Sequence, residues 1–194
     1  MNTTPDRKEN PDGIRILIDE QRIAERVERL AGELERDLEE LRGSVTLVPV
    51  MTGSMLFASD LIRHLKRPVR IAPVTVQSYP GSSTRSRGAR LQTPIPDALK
   101  DTHVVIIDDI LDSGGTLAIL RRLMKAVEPA SVRACVLLRK NVEHDISAIC
   151  EYTGFDIPDR FVVGYGLDYD GLYRNLPFIG ILPDHLIGAE ETGE

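Results

Sequence analysis

The stretch HVVIIDDILDSGGT, residues 103–116, decides the fold of this chain. Its apolar run has the length of a buried strand and ends in two acids, Asp108 and Asp109. A third acid, Asp112, precedes a short turn of hydroxyls and glycines, and a helical pattern begins at Thr116. Hydroxyls and backbone N–H groups at such a strand-to-helix turn suit a phosphate, and acids beside them suit ribose hydroxyls. The stretch therefore predicts a sugar-phosphate site rather than an ordinary strand with an Asp-rich turn.

A helix is predicted near the N-terminus. Asp19 has a side chain that caps helices, and the helical pattern runs from about Glu20 to Arg42, where Gly43 ends it. The apolar side chains of this helix recur three and four positions apart, which indicates a packing surface. They are Ile23, Val27, Leu30, Leu34, Leu38 and Leu41.

Strands alternate with helices along the rest of the chain. The predicted strands have apolar runs bounded by turn residues, and a second helix to about Lys66 follows the turn at 51–54. These strands cover residues 45–50, 69–79, 103–109 and 132–138, and shorter pieces lie between 152 and 182. The order predicts an α/β fold, a parallel twisted sheet flanked by helices that binds ligands at the carboxyl ends of its strands.

Length and composition indicate one domain. The 194 residues are 42% hydrophobic and 28% charged, enough for a full core. We expect a single domain over residues 14–188, between flexible tails at 1–13 and 189–194. The apolar pattern vanishes between residues 80 and 93, and a polar loop of this length in a compact domain is usually disordered or functional.

The charge balance and the cysteines narrow the class of protein. A net charge of -6 argues against broad binding to nucleic acid but not against a phosphate ligand. No apolar run is long enough to cross a membrane, and residues 1–10 lack the apolar core of a signal peptide. Cys135 and Cys150 lie in apolar surroundings without metal-binding spacing, so we expect reduced, buried thiols and a cytoplasmic protein.

The motifs carry a resemblance to a known family. Residues 103–116 resemble the signature of phosphoribosyltransferases that use phosphoribosyl pyrophosphate (PRPP). The blocks FVVGYGLDY at 161–169 and YRNLP at 173–177, with LLRK at 137–140, resemble the hypoxanthine and hypoxanthine-guanine phosphoribosyltransferases. The likeness extends from about residue 14 to 183. It implies the type I phosphoribosyltransferase fold with a small hood region built largely from the C-terminal part.

The activity implied by this resemblance belongs to purine salvage. Such an enzyme transfers the 5-phosphoribosyl group of PRPP to a 6-oxopurine base, hypoxanthine or guanine, and forms the purine nucleotide IMP or GMP and pyrophosphate. The implied cofactor is Mg²⁺, and the implied assembly is a homodimer or homotetramer. Neither nucleic acid nor a membrane is an expected partner.

Residue by residue, the resemblance assigns the PRPP site to the signature. Asp108 and Asp109 match the acids that bind the ribose, although the first is usually Glu, so that a water would extend the reach of Asp108. Asp112 matches the proposed general base facing purine N7, which either takes a proton or stabilises the positive ring. Four residues match the 5′-phosphate turn: Ser113, Gly114, Gly115 and Thr116.

The resemblance assigns the residues that bind the purine and the metal to the later sequence blocks. Lys140 matches the lysine that donates to the purine 6-oxo group. Phe161 would stack on the base, and backbone groups of Val162 would read its edge. Asp168 matches a Mg²⁺ ligand beside the base, and Arg174 matches an arginine that binds pyrophosphate.

The pyrophosphate turn and the lid complete the implied site. Thr52, Gly53 and Ser54 lie in the turn that would bind pyrophosphate through backbone N–H groups. Relatives usually carry Lys or Arg where Thr52 stands. The polar loop 80–93 is similar to the family's mobile lid, with Ser78 and Tyr79 at its hinge.

Two other functions are compatible with the same motifs. One is a PRPP-sensing regulator on this fold that binds RNA or a protein, which the net charge of -6 disfavours. The other is a phosphoribosyltransferase for another base such as xanthine.

Overall fold

The computed structural model describes residues 13–77, 90–145 and 147–187. Strands alternate with α-helices through residues 15–71 and 103–140, whereas the strands between 70 and 111 and those after 131 follow one another without an α-helix between them. The elements are β1 (Arg15–Ile18), α1 (Glu20–Glu39), β2 (Val45–Met51), α2 (Met55–His64), β3 (Arg70–Ile71), β4 (Val74–Gln77), β5 (Arg90–Leu91), β6 (His103–Leu111), α3 (Gly115–Lys125), β7 (Ser131–Lys140), β8 (Tyr152–Ile157), β9 (Val162–Val163) and β10 (Ile179–Ile181).

The main sheet has β6 near its centre. The strand order is β5-β4-β2-β6-β7-β8, and β3 also pairs with β2. All pairs are parallel except β4 with β5, which are antiparallel. The predicted parallel sheet is therefore confirmed.

The central strand is buried on both faces. Val105 and Ile107 pack into the hydrophobic cluster that holds α1 and α2, whereas Val104 and Ile106 pack into the cluster that holds α3. This arrangement explains why β6 is a continuous apolar run, as strands of parallel sheets covered by helices usually are.

The end of β6 differs from the prediction. Its pairing with β2 stops at Pro49↔Ile107, whereas its pairing with β7 continues to Leu111↔Arg139. Asp108 and Asp109 therefore lie inside a strand that runs on to Leu111, not at the end of the strand as predicted. The backbone of β7 holds one side of this extension, while the side toward β2 is left open beside the acids.

Two further boundaries differ from the predictions. Asp19 caps α1 by accepting from the Arg22 N–H at 2.8 Å, but the helix ends at Glu39 rather than near residue 42. It ends early because the Leu38 carbonyl accepts from the Leu41 N–H and from the Arg67 side chain. The strand predicted over 69–79 is divided into β3 and β4 at Pro73, which has no N–H for the ladder.

A second, smaller sheet forms the hood. Its order is β1-β10-β9 and both pairs are antiparallel. The hood thus joins an N-terminal strand, which the sequence analysis did not predict, to the C-terminal part. Its small core contains Ile14, Val163 and Leu182. Within the described ranges, no helix is both long and apolar enough to cross a membrane.

Candidate active site

A cavity of about 550 Å³ opens at the carboxyl edge of the main sheet. Most of its lining comes from three segments, which are the turn after β2, the end of β6 with the start of α3, and the hood loop at 164–178; Val76 of β4 and Val136 of β7 complete it. The predicted site residues among its lining are Gly53, Asp108, Asp109, Asp112, Ser113, Gly114, Gly115, Thr116, Asp168 and Arg174. The fold therefore brings together most of the residues assigned to PRPP.

The acid pair of β6 is held against its own strand. Asp108 is 6% exposed, and its Oδ1 accepts from the Asp109 N–H at 3.1 Å, while Asp109 Oδ1 accepts from the Ile110 N–H at 3.0 Å. Burial raises the pKa of Asp108 well above its ordinary value, and the charge of Asp109 adds to this. Burial also raises the pKa of Asp109, although its hydrogen bonds and the charge of Arg174 oppose the shift.

Two glycines let the turn after β2 touch both neighbours. A Cβ on Gly53 would lie 1.8 Å from Asp109 Oδ2, and a Cβ on Gly166 would lie 2.2 Å from the Gly53 carbonyl oxygen. Gly166 also has a φ of +101°. Glycine at these positions lets the turn lie against the Asp109 carboxylate on one side and against the backbone of the hood loop on the other. The sequence analysis did not assign a role to Gly166, although the Gly-Tyr-Gly run was a signal for unusual backbone.

The turn at 51–54 corrects part of the pyrophosphate prediction. Its Met51–Thr52 peptide is cis. Ser54 is fully buried, and both its hydroxyl and its N–H donate to the Val50 carbonyl, at 2.8 and 3.3 Å. Ser54 therefore has no donor left for pyrophosphate. Thr52 is exposed and is not among the residues that line the large cavity, whereas Gly53 is.

The turn before α3 has the geometry expected of a phosphate site. Gly114 is the N-cap of α3 with a φ of +90°, and among the described residues no side chain caps this helix end. The first N–H groups of a helix lack partners within it, and here they belong to residues that line the cavity. A Cβ on Gly114 would lie 2.5 Å from the Ala148 Cβ, whereas one on Gly115 would meet only Ser113 Oγ at 3.9 Å.

In the hood loop, two predicted residues bind each other. Arg174 Nη2 lies 2.7 Å from Asp168 Oδ1. Asp168 Oδ2 accepts from the Gly171 N–H at 2.8 Å, and Arg174 Nη1 donates to the Gly166 carbonyl at 2.6 Å. The ion pair and these two hydrogen bonds therefore hold the loop in its own fold, and both charged residues line the large cavity.

A second cavity of about 180 Å³ adjoins the first. Asp109, Ile110, Asp112 and Asp168 line both cavities. The smaller one is otherwise lined by Lys140, Arg160, Phe161, Val162 and Leu167. The residues predicted to bind a purine thus lie beside those predicted to bind PRPP.

Phe161 leaves much of its ring free for a ligand. The side chain is 41% exposed. Its ring contacts Tyr169 edge to face, with centroids 5.3 Å apart and an interplanar angle of 89°. This contact holds the ring in place, and a planar base has room to stack on it.

Lys140 lies between two carboxylates. Its Nζ is 3.0 Å from Asp112 Oδ2 and 3.1 Å from Asp159 Oδ1. Burial lowers the pKa of Lys140, but the hydrogen bonds and charges of both acids outweigh burial, so its pKa lies above the ordinary value. The sequence analysis assigned Lys140 and Asp112 but missed Asp159, which stands in none of the recognised motifs.

Some predictions fall at or beyond the edge of the described ranges. Ser78 and Tyr79 lie outside them, as does most of the predicted lid. Arg90 and Leu91, at the end of the predicted loop 80–93, form strand β5. Where the structure is described, no cluster of three or more His, Cys, Asp or Glu residues could hold a metal.

Comparison with known proteins agrees with this geometry. The sequence matches the family model of the phosphoribosyl transferase domain over residues 15–170. The hypoxanthine phosphoribosyltransferase of Haemophilus influenzae is 35% identical over 166 residues, which are 85% of this chain and 93% of that protein.

Two solved structures show the same likeness. A hypoxanthine-guanine phosphoribosyltransferase from Bacillus anthracis is 37% identical with a TM-score of 0.80, over 87% of this chain and 98% of that one. The hypoxanthine phosphoribosyl transferase of Trypanosoma cruzi is 32% identical with a TM-score of 0.87, over 96% and 100%. The fold, the site and these relatives together show that the chain belongs to the phosphoribosyltransferase family, among the hypoxanthine and hypoxanthine-guanine phosphoribosyltransferases of the type I fold.

Proposed function

We propose that this protein transfers the 5-phosphoribosyl group of PRPP to hypoxanthine or guanine and releases IMP or GMP and pyrophosphate. The observation that supports this most is the junction of the two cavities. The predicted phosphate and ribose residues line the larger one, and Lys140 and Phe161 line the smaller one. Asp112 lines both. A sugar phosphate and a purine would therefore meet beside its carboxylate.

In this proposal the large cavity holds PRPP. The N–H groups and hydroxyls at 113–116 bind the 5′-phosphate. Asp109 accepts from the ribose hydroxyls, and Asp108, which is more deeply buried, acts through a water. Gly53 and Arg174 bind the pyrophosphate, with Thr52 at the outer edge of the turn.

The small cavity holds the purine. Phe161 stacks on the ring, backbone groups of Val162 read its edge, and Lys140 donates to the 6-oxo oxygen. Asp112 faces N7, where it takes the proton or stabilises the positive ring. These contacts orient the attacking nitrogen, which is a large part of catalysis in two-substrate reactions.

The chemical step exchanges one bond for another. The purine nitrogen forms a bond to C1 of the ribose, while the bond from C1 to the pyrophosphate oxygen breaks and its electron pair leaves with pyrophosphate. Positive charge develops on the ribose and the purine, and the carboxylates of Asp109 and Asp112 lie where they stabilise it. The purine proton passes to Asp112 or to solvent.

The donor set around Asp168 is compatible with Mg²⁺. This ion takes oxygen ligands, keeps several waters and needs only one or two carboxylates when a substrate supplies phosphates. Asp168 lines both cavities and would hold the ion. When bound, Mg²⁺ supplies positive charge that neutralises pyrophosphate.

The test is a direct assay. The protein is incubated with PRPP, Mg²⁺ and hypoxanthine, guanine or xanthine in turn, and nucleotides are separated by chromatography. We expect IMP, GMP or both. Formation of the xanthine nucleotide alone would move the proposal to another base. Binding of PRPP without any nucleotide product would contradict catalysis and favour the regulator.

Two wider predictions accompany this proposal. We expect a homodimer or homotetramer, which light scattering in solution would measure. We also expect a cytoplasmic protein, which microscopy of a tagged chain would test.

A further inference from the structure

We infer that Asp159 is a positioning residue that keeps Lys140 in place in the base cavity while Asp112 leaves Lys140 for the purine. This inference rests on the proposed function, because it gives the purine to Lys140 and Asp112. Nothing in the motifs assigns a role to Asp159. The role is inferred instead from the ion pair that Asp159 forms with Lys140.

Asp112 and Asp159, which bind the same Lys140 ammonium, belong to different segments of the chain. Asp112 follows β6, whereas Asp159 lies in the link between β8 and β9. Asp112 lines both cavities, but Asp159 lines neither. Lys140 Nζ is therefore paired at 3.0 Å with an acid that lines the cavities, Asp112, and at 3.1 Å with one that does not, Asp159.

Because the Lys140 side chain is largely buried, its ammonium needs a second carboxylate partner when Asp112 leaves. The side chain of Lys140 is 12% exposed, against 59% for Asp112 and 65% for Asp159. A largely buried ammonium that loses its counter-ion is strongly disfavoured. If Asp112 were the sole partner of Lys140, the two would hold each other and compete with the purine. With Asp159 retained, Asp112 is free to face N7.

The donor count supports the exchange. An ammonium has three donors and no acceptor. In this structure, Asp112 and Asp159 take two of them, and a 6-oxo oxygen would take another. After Asp112 turns to the purine, Lys140 still donates to Asp159 and to the base. Asp159, which takes no part in the reaction, therefore keeps the Lys140 side chain in position.

The charges around Lys140 provide a matched control. Asp112 and Asp159 face its Nζ, while Asp109, Asp168 and Arg160 line the same small cavity. The preceding residue on β7, Arg139, pairs with Asp156 at 2.6 Å. Asp156→Asn makes the same charge change as Asp159→Asn on an acid that is also exposed, 52% against 65%, and that pairs with Arg139 rather than with Lys140.

The experiment measures initial rates of the full chain against hypoxanthine or guanine at saturating PRPP and Mg²⁺, from pH 6 to 10. For Asp159→Asn we expect kcat/KM for the base to fall about 10-fold, because the amide oxygen can still accept from Lys140 but the hydrogen bond is no longer charge-assisted on both sides. KM for PRPP, measured separately with PRPP varied at a saturating base concentration, should not change. The alkaline limb of kcat/KM should move to lower pH, because Lys140 loses a counter-charge. Asp159→Glu should recover most of the loss, and Asp156→Asn should match the native protein.

The outcomes separate the inference from the function. A native protein that forms nucleotide, with Asp159→Asn unchanged in kcat/KM and pH limb, would overturn the inference and leave the function standing. An equal loss in Asp156→Asn would also overturn it. A native protein with neither nucleotide formation nor IMP binding by calorimetry would overturn both.

Discussion

The site contains two kinds of acid, and they are held in opposite ways. Asp108 and Asp109 lie inside the central strand, the first buried and the second half-buried, and both accept hydrogen bonds from the backbone of that strand. Asp112 and Asp168 lie on loops, and each binds a cationic side chain: Asp112 binds Lys140 of β7 at 3.0 Å, and Asp168 binds Arg174 of its own loop at 2.7 Å. The strand acids are fixed by the fold, whereas the loop acids are fixed by partners that a ligand can replace.

This difference suggests how the work of the site is divided. Fixed acids suit a ribose that must always bind in one place, because their position costs nothing further when the ligand arrives. Paired acids suit groups that act only when substrate is present. In this structure, Lys140 and Arg174, the cations assigned to the purine and the pyrophosphate, pair with Asp112 and Asp168. Ligands would then exchange these partners.

The largest effect should come from the loop acid proposed to act in the reaction. Asp112→Asn keeps the shape but removes the charge and the basic oxygen. We expect kcat to fall about 10²- to 10⁴-fold, the usual size of a general-base effect, with little change in PRPP affinity. Steady-state kinetics and calorimetry with PRPP measure the two. A near-normal kcat would remove Asp112 from the chemical step.

The next effect should come from the contact that fixes a strand acid. Gly53→Ala would place a Cβ 1.8 Å from Asp109 Oδ2, so the turn or the acid must shift. A displacement of about 1 Å at a reacting site can cost about 10²-fold in rate, and we expect a loss of that order in kcat/KM for PRPP. Gly32→Ala is the control, because a Cβ there meets nothing within 4 Å. Equal activity in both variants would show that the turn adapts freely.

A smaller effect concerns stability, and it distinguishes strand acids from loop acids. An unfolded Asp titrates near pH 4, and burial raises the pKa of Asp108 above that in the folded protein. The folded state therefore keeps the proton to higher pH, and the unfolding free energy falls as pH rises through the folded pKa. Asparagine has no such proton to lose.

We therefore expect Asp108→Asn to raise the melting temperature, by more at pH 8 than at pH 5. Each kcal/mol corresponds to about 2–4 °C in a chain of this size. Thermal unfolding followed by circular dichroism gives the difference at each pH. A difference that shrinks as pH rises would mean that the buried carboxylate is stabilised in its charged form.

Much of this arrangement could be predicted from the sequence, because it depends on residue patterns within short stretches of the chain. The apolar run of β6, the glycines before α3 and the Asp19 cap are all local signals. The break at Pro73 was readable too, because proline lacks an N–H, but the flanking apolar residues obscured it. Strand β1 is only four residues long and has no distinctive alternation, so it was missed.

What sequence could not provide was the partners of individual side chains. Ser54 looked like an available donor, yet its hydroxyl turns inward to Val50. Lys140 and Asp112 were assigned to the purine separately, and only packing shows that they bind each other. Asp159 and Gly166 were missed because their roles depend on contacts between segments that are distant in sequence.

The central claim is that ligands replace the partners of the loop acids, and one measurement tests it most directly. It is a crystal structure with PRPP, Mg²⁺ and a hypoxanthine analogue whose attacking nitrogen is carbon. We predict that Lys140 Nζ and Asp112 Oδ2, 3.0 Å apart here, separate beyond about 4 Å, the limit for an ion pair, while Lys140 stays beside Asp159. Arg174 should likewise leave Asp168 for the pyrophosphate. Both cavities filled with both ion pairs intact would contradict the account.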